Sequence, residues 1–287
     1  MGDELWSVQR LLRWTASHFD SRGIDSPRLT AEVLLAHALS TTRLKLYVDF
    51  DRPLEAAELD RFRALVRQRA SGVPTQHLVG GREFYGRWFQ VDRRAFIPRP
   101  ETELLVEACL PQVAAAGAGA RALDLCAGSG CVGITLAAER PDLQVDAVEL
   151  SAEACNLARS NAAALGVAGR YELRQGDLFD PLPPGMRWPL IASNPPYVPS
   201  GEIASLAVEV RDHDPTAALD GGPDGLDLIR RIVGGAAERL VSGGFLALEI
   251  GDGQGPAVRS LLEGAGYREV GVARDPAGHD RIATARR

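Results

Sequence analysis

Asn194-Pro195-Pro196-Tyr197 is the stretch whose residue types could do chemistry. A carboxamide held beside rigid carbonyls and an aromatic ring can accept two N–H bonds from a planar –NH2 group while the ring packs on its face. That suits the nitrogen of an amide or the exocyclic amine of a base. The prolines supply the rigidity, since each lacks an N–H and has φ held near about −65°, so neither continues a strand ladder. The preceding run Trp188-Pro189-Leu190-Ile191-Ala192 reads as a short buried strand, which the prolines stop with Asn194 at its carboxyl end. In an open parallel sheet, ligands bind at that end. The alternative is an ordinary strand-to-loop stop with a turn-forming Asn.

A second constellation is Asp124-Leu125-Cys126-Ala127-Gly128-Ser129-Gly130-Cys131, between a strand and a helix. Gly128 and Gly130 let the backbone pass close to a ligand at a helix N-terminus. Gly128, Gly130 and Gly133 also satisfy G-x-G-x-x-G, so a dinucleotide reading competes. Three acids weigh against it. Glu149 ends the second strand, where a carboxylate can accept both ribose hydroxyls of an adenosine. Asp124 precedes the turn, where a fixed negative charge suits a ligand's ammonium group and would repel a pyrophosphate. Asp177 lies at the same edge after the third strand, followed by Leu178 and Phe179, which could cover an adenine. An acidic rim with no obvious Lys or Arg favours S-adenosylmethionine, cationic at sulfur and amine, over NAD.

The elements that position these residues follow from periodicity. From Arg121 onward strand and helix patterns alternate, the signature of a parallel α/β sheet. Strands are expected at Ala122–Cys126, Gln144–Glu149, Tyr171–Arg174, Leu190–Ser193, Phe245–Ile250, Tyr267–Ala273 and Arg281–Ala285. Helices are expected at Cys131–Glu139, Ala152–Leu165, Leu226–Leu240 and Gly255–Ala265. The polar, glycine-rich stretch Val198 to Gly225 is long enough that function is its usual explanation. Upstream, Leu5, Val8, Leu11, Leu12 and Phe19 recur at helical spacing. Ser26-Pro27 predicts an N-cap with Pro at the first helical position. A further helix to about Ala70 places Leu59, Phe62, Leu65 and Val66 on one face, and Arg61, Arg63, Arg67 and Arg69 on the other. Residues 1–73 thus read as a small helical bundle, 74–95 as a linker containing a β-hairpin around Phe84-Tyr85-Gly86, and 96–287 as the α/β domain. Thr102 is expected to cap a helix beginning near Glu103.

Composition narrows the class. In 287 residues, 45% apolar and 24% charged is ordinary for a globular protein. No run of eighteen apolar residues exists, and the first thirty residues lack the apolar core of a secretory signal. The expectation is a cytoplasmic protein with no membrane association. Cys109, Cys126, Cys131 and Cys155 form no Cys-x-x-Cys pair, and the five His are scattered, so neither a metal site nor a disulfide framework is expected. Residues 1–100 hold 16 Lys+Arg against 12 Asp+Glu, net +4, and the rest hold 16 against 26, net −10. An acidic body argues against direct nucleic-acid binding, while a local basic docking face on the front remains open.

In order and spacing, Asp124 to Gly130, Glu149, Gly176-Asp177-Leu178-Phe179 and Asn194 to Tyr197 are similar to class I methyltransferases that act on an amide or amine nitrogen. The whole chain more closely resembles the HemK-type protein-(glutamine-N5) methyltransferases acting on peptide chain release factors. Supporting stretches are Pro74 to Gly80, Phe96-Ile97-Pro98-Arg99-Pro100-Glu101-Thr102-Glu103, Ala218 to Leu226, and Arg274-Asp275 with Asp280-Arg281. The resemblance implies a Rossmann-like domain, S-adenosylmethionine as methyl donor without a metal, a release factor as partner and, with it, a monomer. It implies a cofactor site of Asp124, Cys126, Ala127, Gly128, Ser129, Gly130, Glu149, Asp177, Leu178 and Asn194. Substrate would lie against Asn194, Pro195, Pro196 and Tyr197, with Asn194 Oδ1 and the Pro195 carbonyl accepting the glutamine N–H bonds and Tyr197 packing on the amide plane. Three positions depart from the family pattern. Cys126-Ala127 replaces the usual Gly-Thr, so the turn is expected to avoid positive φ at Cys126. Leu178 replaces an aromatic and gives a thinner cover for adenine. Glutamine methylation of a ribosomal protein, adenine-N6 methylation of DNA on a flipped base, NAD-dependent oxidoreduction and a non-catalytic binding module are the competing readings.

Overall fold

A computed structural model describes residues 6–117 and 119–287; Leu5, first in the helical repeat above, lies outside the described residues. The chain forms two compact units, one running through Gly81 together with Val208–His213, the other comprising Arg82–Ala207 and Asp214–Arg287.

The first unit is helical. In α1 (Val8–Asp20) the Ser7 hydroxyl caps the first turn, and Val8, Leu11, Leu12 and Phe19 are buried. α2 (Pro27–Ala38) starts on its proline as expected, but Ser26 sits at φ 46° and makes no side-chain cap. Side-chain capping needs an extended N-cap backbone, and a left-handed Ser26 does not provide it. A short α3 (Arg43–Val48), legible only weakly because it buries Leu46 alone, is capped by Thr42. α4 (Ala56–Ala70) opens on a reciprocal Glu55–Glu58 box and buries Phe62 and Val66. Arg69, expected on its polar face, is buried and paired with Glu209. α5 (Thr75–Val79) puts one helical turn before the hairpin.

In the second unit, β1 (Gly81–Phe84) and β2 (Arg87–Gln90) form the hairpin, turning at Tyr85 and Gly86 with φ of 51° and 70°. There follow α6 (Glu103–Ala116), β3 (Arg121–Leu125), α7 (Cys131–Glu139), β4 (Gln144–Glu149), α8 (Ala152–Ala164), β5 (Tyr171–Gln175) and β6 (Trp188–Ser193). After α9 (Val208–Arg211), which belongs to the first unit, come α10 (Asp227–Arg239), β7 (Leu240–Glu249), α11 (Gly255–Gly264), β8 (Arg268–Arg274) and β9 (Asp280–Arg286). The sheet order is β5-β4-β3-β6-β7-β9-β8. All pairings from β5 to β7 are parallel, whereas β9 runs antiparallel to both β7 and β8. The expected parallel α/β sheet is thus present, with β9 as its one antiparallel strand among the described residues. A parallel connection needs a crossover of about a dozen residues, and only residues 275–279 separate the last two strands. Asp275 closes that turn by accepting the N–H groups of Ala277 and His279 at 3.0 Å each.

Side chains of β3 alternate between the two faces. Leu123 and Leu125 pack with Ile229, Ile232, Val258 and Leu262 of α10 and α11, and Ala122 packs with Leu105, Ile134 and Ala158 of α6, α7 and α8. Pro189, without an N–H, sits where the β6–β7 register shifts between Trp188 and Leu190. The chain proceeds from β3 outward through β4 to β5, then returns to β6 on the other side of β3. That reversal opens a crevice at the carboxyl ends of β3 and β6, where Leu125 is registered with Ser193. Both constellations named above leave the sheet there.

Candidate active site

The turn after β3 is left-handed at alternate residues, with Cys126 at φ 57°, Gly128 at 55° and Gly130 at 81°. The expectation that Cys126 avoids positive φ is therefore wrong. A Cβ there costs about 1–2 kcal/mol, and the surrounding bonds hold it. Ala127 N donates to Val148 O at 3.1 Å, Gly128 N to Glu149 Oε2 at 2.8 Å, and Gly130 N to Ala127 O at 2.7 Å. Gly130 is also sterically required, since a Cβ on it would lie 2.5 Å from Ile134 Cδ1. At Gly133 a Cβ would come within 2.7 Å of Asp124 Oδ2, which instead accepts the Gly133 N–H at 2.9 Å.

Asp124 is 1% exposed, and its Oδ1 has no hydrogen-bond partner. Burial pushes its carboxyl up to about 7, with the Gly133 bond opposing and Glu149 reinforcing the shift. Through the Gly133 bond it ties β3 to the start of α7.

A cavity of about 310 Å³ opens at the crevice, lined among others by Cys126, Gly128, Glu149, Asp177, Leu178, Asn194 and Pro196. Asp124, Ala127, Ser129, Gly130, Pro195 and Tyr197 are not on its wall. Glu149 is held by both oxygens, Oε2 accepting from Gly128 N and Oε1 from Ser151 N, each at 2.8 Å. Leu178 is buried at φ 45°. The rim is less acidic than the sequence implied. Arg94 lines the cavity, chelated by Asp92, and Arg231 from α10 pairs with Asp177 at 2.8 Å. Linear spacing could not reveal the Arg231–Asp177 pairing, whose partners are 54 positions apart. Pro215, Ala217 and Ala218, from the long glycine-rich stretch, also line the cavity, as do Val148 and Ala154.

Asn194 reaches the same cavity. Its Nδ2 donates to Thr102 Oγ1 at 3.2 Å. Thr102, expected to cap α6, lies in the turn Pro100–Thr102 with helical backbone and makes no cap bond. Behind Asn194, the half-buried Tyr197 has its hydroxyl 3.4 Å from Glu249 Oε1, and burial next to Glu249 raises its pKa, so it stays neutral. Gln254 locks the turn, donating to Tyr197 O at 2.9 Å and accepting Gly251 N at 2.8 Å. Gly225, at φ 75°, brings the end of the long loop onto the same carbonyl, where a Cβ would lie 2.2 Å from Tyr197 O. Thr102, Glu249 and Gln254 escape sequence reasoning because their partners are some 50 to 150 positions away. The only sequence signal is the quoted Pro-Glu-Thr-Glu stretch.

Over 99% of this chain and 98% of the relative, the sequence is 42% identical to the release factor glutamine methyltransferase of Geobacter sulfurreducens. The chain belongs to the release factor glutamine methyltransferases. The corresponding enzyme of Cereibacter sphaeroides is 45% identical, covering 96% of each chain. Residues 10–80 match the PrmC N-terminal domain and residues 100–210 the methyltransferase small domain. Among solved structures, a methyltransferase from Pyrococcus furiosus is 18% identical, with a TM-score of 0.53 over 71% of this chain and 89% of that one. The hMettl16 catalytic domain is 15% identical, with a TM-score of 0.59 over 77% and 81%. These two likenesses speak for the fold. The sheet differs from the dinucleotide-binding order 3-2-1-4-5-6 in having β9 inserted between β7 and β8, antiparallel to both. Among the described residues no helix is long and apolar enough to cross a membrane.

Proposed function

We propose that this family member transfers a methyl group from S-adenosylmethionine to the side-chain amide nitrogen (N5) of the Gly-Gly-Gln glutamine of a peptide chain release factor. The observation that carries this reading is that one cavity holds both Glu149 and Asn194. Its chemistry fits the donor. Each Glu149 oxygen uses one lone pair on a backbone N–H and keeps another for a ribose hydroxyl. Leu178, Val148 and Ala154 offer apolar cover for adenine, and about 310 Å³ is within the range of small-molecule sites. Bound there, S-adenosylmethionine supplies an electrophilic methyl group on a cationic sulfur.

The chain's own residues act on the glutamine. An amide nitrogen is a weak nucleophile because its lone pair is delocalised into the carbonyl. Asn194 Oδ1 and the Pro195 carbonyl accept its two N–H bonds and aim the nitrogen, and both acceptors gain strength as positive charge grows there. Tyr197, neutral and anchored on Glu249, backs the turn that holds them. No strong base is needed at attack, and the proton leaves to solvent once the nitrogen is alkylated.

The helical unit docks the protein substrate. Support comes from a groove of about 580 Å³ on α1 and α4 with Trp6, Trp14, Phe62, Arg63 and Arg67 on its walls, Trp14 being 51% exposed. The reading has it act as a monomer in the cytoplasm, where its release-factor substrate works.

The test is methyl transfer to purified release factor, ribosomal protein and DNA side by side, with Asn194→Ala in parallel. Label is expected on the release-factor glutamine only. In Asn194→Ala, kcat is expected to fall about a hundredfold, more than KM rises, because the lost acceptor matters most in the transition state. Preferential labelling of DNA, or undiminished kcat in folded Asn194→Ala, defeats the reading.

A further inference from the structure

We propose that Arg94 binds the α-carboxylate of S-adenosylmethionine and so selects a donor whose amino-acid end is intact. The inference rests on the donor reading above. S-adenosylmethionine carries two positive charges, on sulfur and amine, and one negative charge on its carboxylate. At neutral pH that carboxylate is ionised, and drawing it into a cavity without a partner is costly. A group on the cavity wall must donate to it.

The wall leaves few candidates. Glu149 and Asp177 are acids and would repel a carboxylate. The N–H groups of Gly128 and Ser151 are spent on the Glu149 side chain, and that of Gly176 on the Glu149 carbonyl. Asn194 Nδ2 is turned to Thr102, and the Ser151 hydroxyl is neutral and caps α8. Helix N-termini receive anions, but neither Gly130 nor Cys131 at the start of α7 is on the wall, and the Gly133 N–H is taken by Asp124. Among the described residues, Arg94 is the one cationic side chain that lines the cavity. Its geometry suits the task. Asp92 holds one edge of the guanidinium, accepting from Nε at 2.8 Å and Nη2 at 2.7 Å, and it also accepts the Arg94 backbone N–H at 3.0 Å. A guanidinium has five N–H donors. Both protons of Nη1 and the outer proton of Nη2 make no hydrogen bond among the described residues, which leaves a second fork of the kind that grips a carboxylate with two parallel bonds. Because Asp92 already fixes the plane, little side-chain freedom is left to lose on binding. The Arg94 side chain is 34% exposed, so salt weakens its pull on the carboxylate.

The test is isothermal titration of wild type, Arg94→Gln and Arg94→Glu at low salt, with Tm measured alongside. Three ligands are compared: S-adenosylmethionine, S-adenosylhomocysteine and decarboxylated S-adenosylmethionine. Arg94→Gln is expected to bind the first two about tenfold more weakly than wild type does, and the decarboxylated form within about threefold of wild type. Arg94→Glu is expected to lose more on the first two and to bind the decarboxylated form, which carries positive charge only, at least as tightly as wild type. Should neither variant fold, wild type alone decides: it is expected to bind S-adenosylmethionine about tenfold more tightly than the decarboxylated form, by a margin that shrinks as salt is raised. Equal affinity for those two ligands in wild type overturns the proposal. So does undiminished binding of S-adenosylmethionine by Arg94→Gln, or an equal loss on all three ligands, which would assign Arg94 to the adenosine or to folding. Wild type that binds none of the three overturns the donor reading and this proposal with it, whereas tight wild-type binding with an equal loss on all three removes Arg94 alone.

Discussion

Replacing Glu149 by Ala is expected to weaken S-adenosylmethionine binding by about a hundredfold to a thousandfold. Both carboxylate oxygens already accept a backbone N–H at 2.8 Å, one from Gly128 and one from Ser151. Each retains a lone pair for a ribose hydroxyl. Charge-assisted hydrogen bonds are worth about 1.5–3 kcal/mol each. Taking the two at the low end gives about 3–4 kcal/mol, and at about 1.4 kcal/mol per tenfold this is two to three decades in Kd. The same substitution strips the acceptor from Gly128 N and Ser151 N, at about 0.5–1.5 kcal/mol each, so Tm is expected to drop by about 2–6 °C. Glu149→Gln separates the two roles poorly by design, since its –NH2 would face one of those N–H groups, and it is expected to bind nearly as weakly as Ala. Isothermal titration with S-adenosylmethionine and with the demethylated product gives Kd, and differential scanning gives Tm. A folded Glu149→Ala protein binding within about threefold of wild type would refute the assignment of the ribose to Glu149.

Gly130→Ala forces a Cβ into Ile134 at φ 81° and is expected to cost about 2–4 kcal/mol, whereas Gly128→Ala at φ 55°, with no protein atom in reach of its Cβ, should cost about 1–2 kcal/mol; chemical denaturation that ranks them the other way refutes the packing argument. Asp124 is pushed by burial to about 7 from an ordinary 3.8, so the folded chain holds a proton there that the unfolded chain releases. Its contribution is fully present below about pH 4 and is lost as pH rises toward 7. Wild-type Tm should therefore fall relative to Asp124→Asn between pH 5 and pH 8 without cofactor, and parallel Tm curves would remove the buried carboxyl from that slope. Trp14→Ala, in the groove of the helical unit, should lower kcat/KM for intact release factor about tenfold while leaving methylation of a short Gly-Gly-Gln peptide unchanged. An equal loss on both substrates would mean that Trp14 serves folding and not docking.

Local pattern alone determined most of the α/β unit. Gln144–Glu149 and Cys131–Glu139 are an expected strand and helix with the ends the structure gives them, because Val145, Ala147 and Val148 form a short buried apolar stretch and the helix lies between Gly130 and the Arg140-Pro141 stop. The same pattern put Glu149 and Asn194 at strand ends, which brings them to one edge of the sheet in any parallel arrangement. Tertiary structure decided what depends on partners remote in sequence. Strand β9 doubles back because five residues cannot cross a sheet. Cys126 takes a left-handed backbone because bonds to β4 hold the turn against its steric cost. Thr102 leaves helix capping to meet Asn194, 92 positions away, and Asp124 turns inward to Gly133 instead of toward the cavity. Propensity and spacing describe what a residue can do with its neighbours in the chain. Which hydrogen bond a carboxylate or hydroxyl finally makes is set by the groups that burial brings beside it, since a buried polar atom must take a partner wherever the fold supplies one.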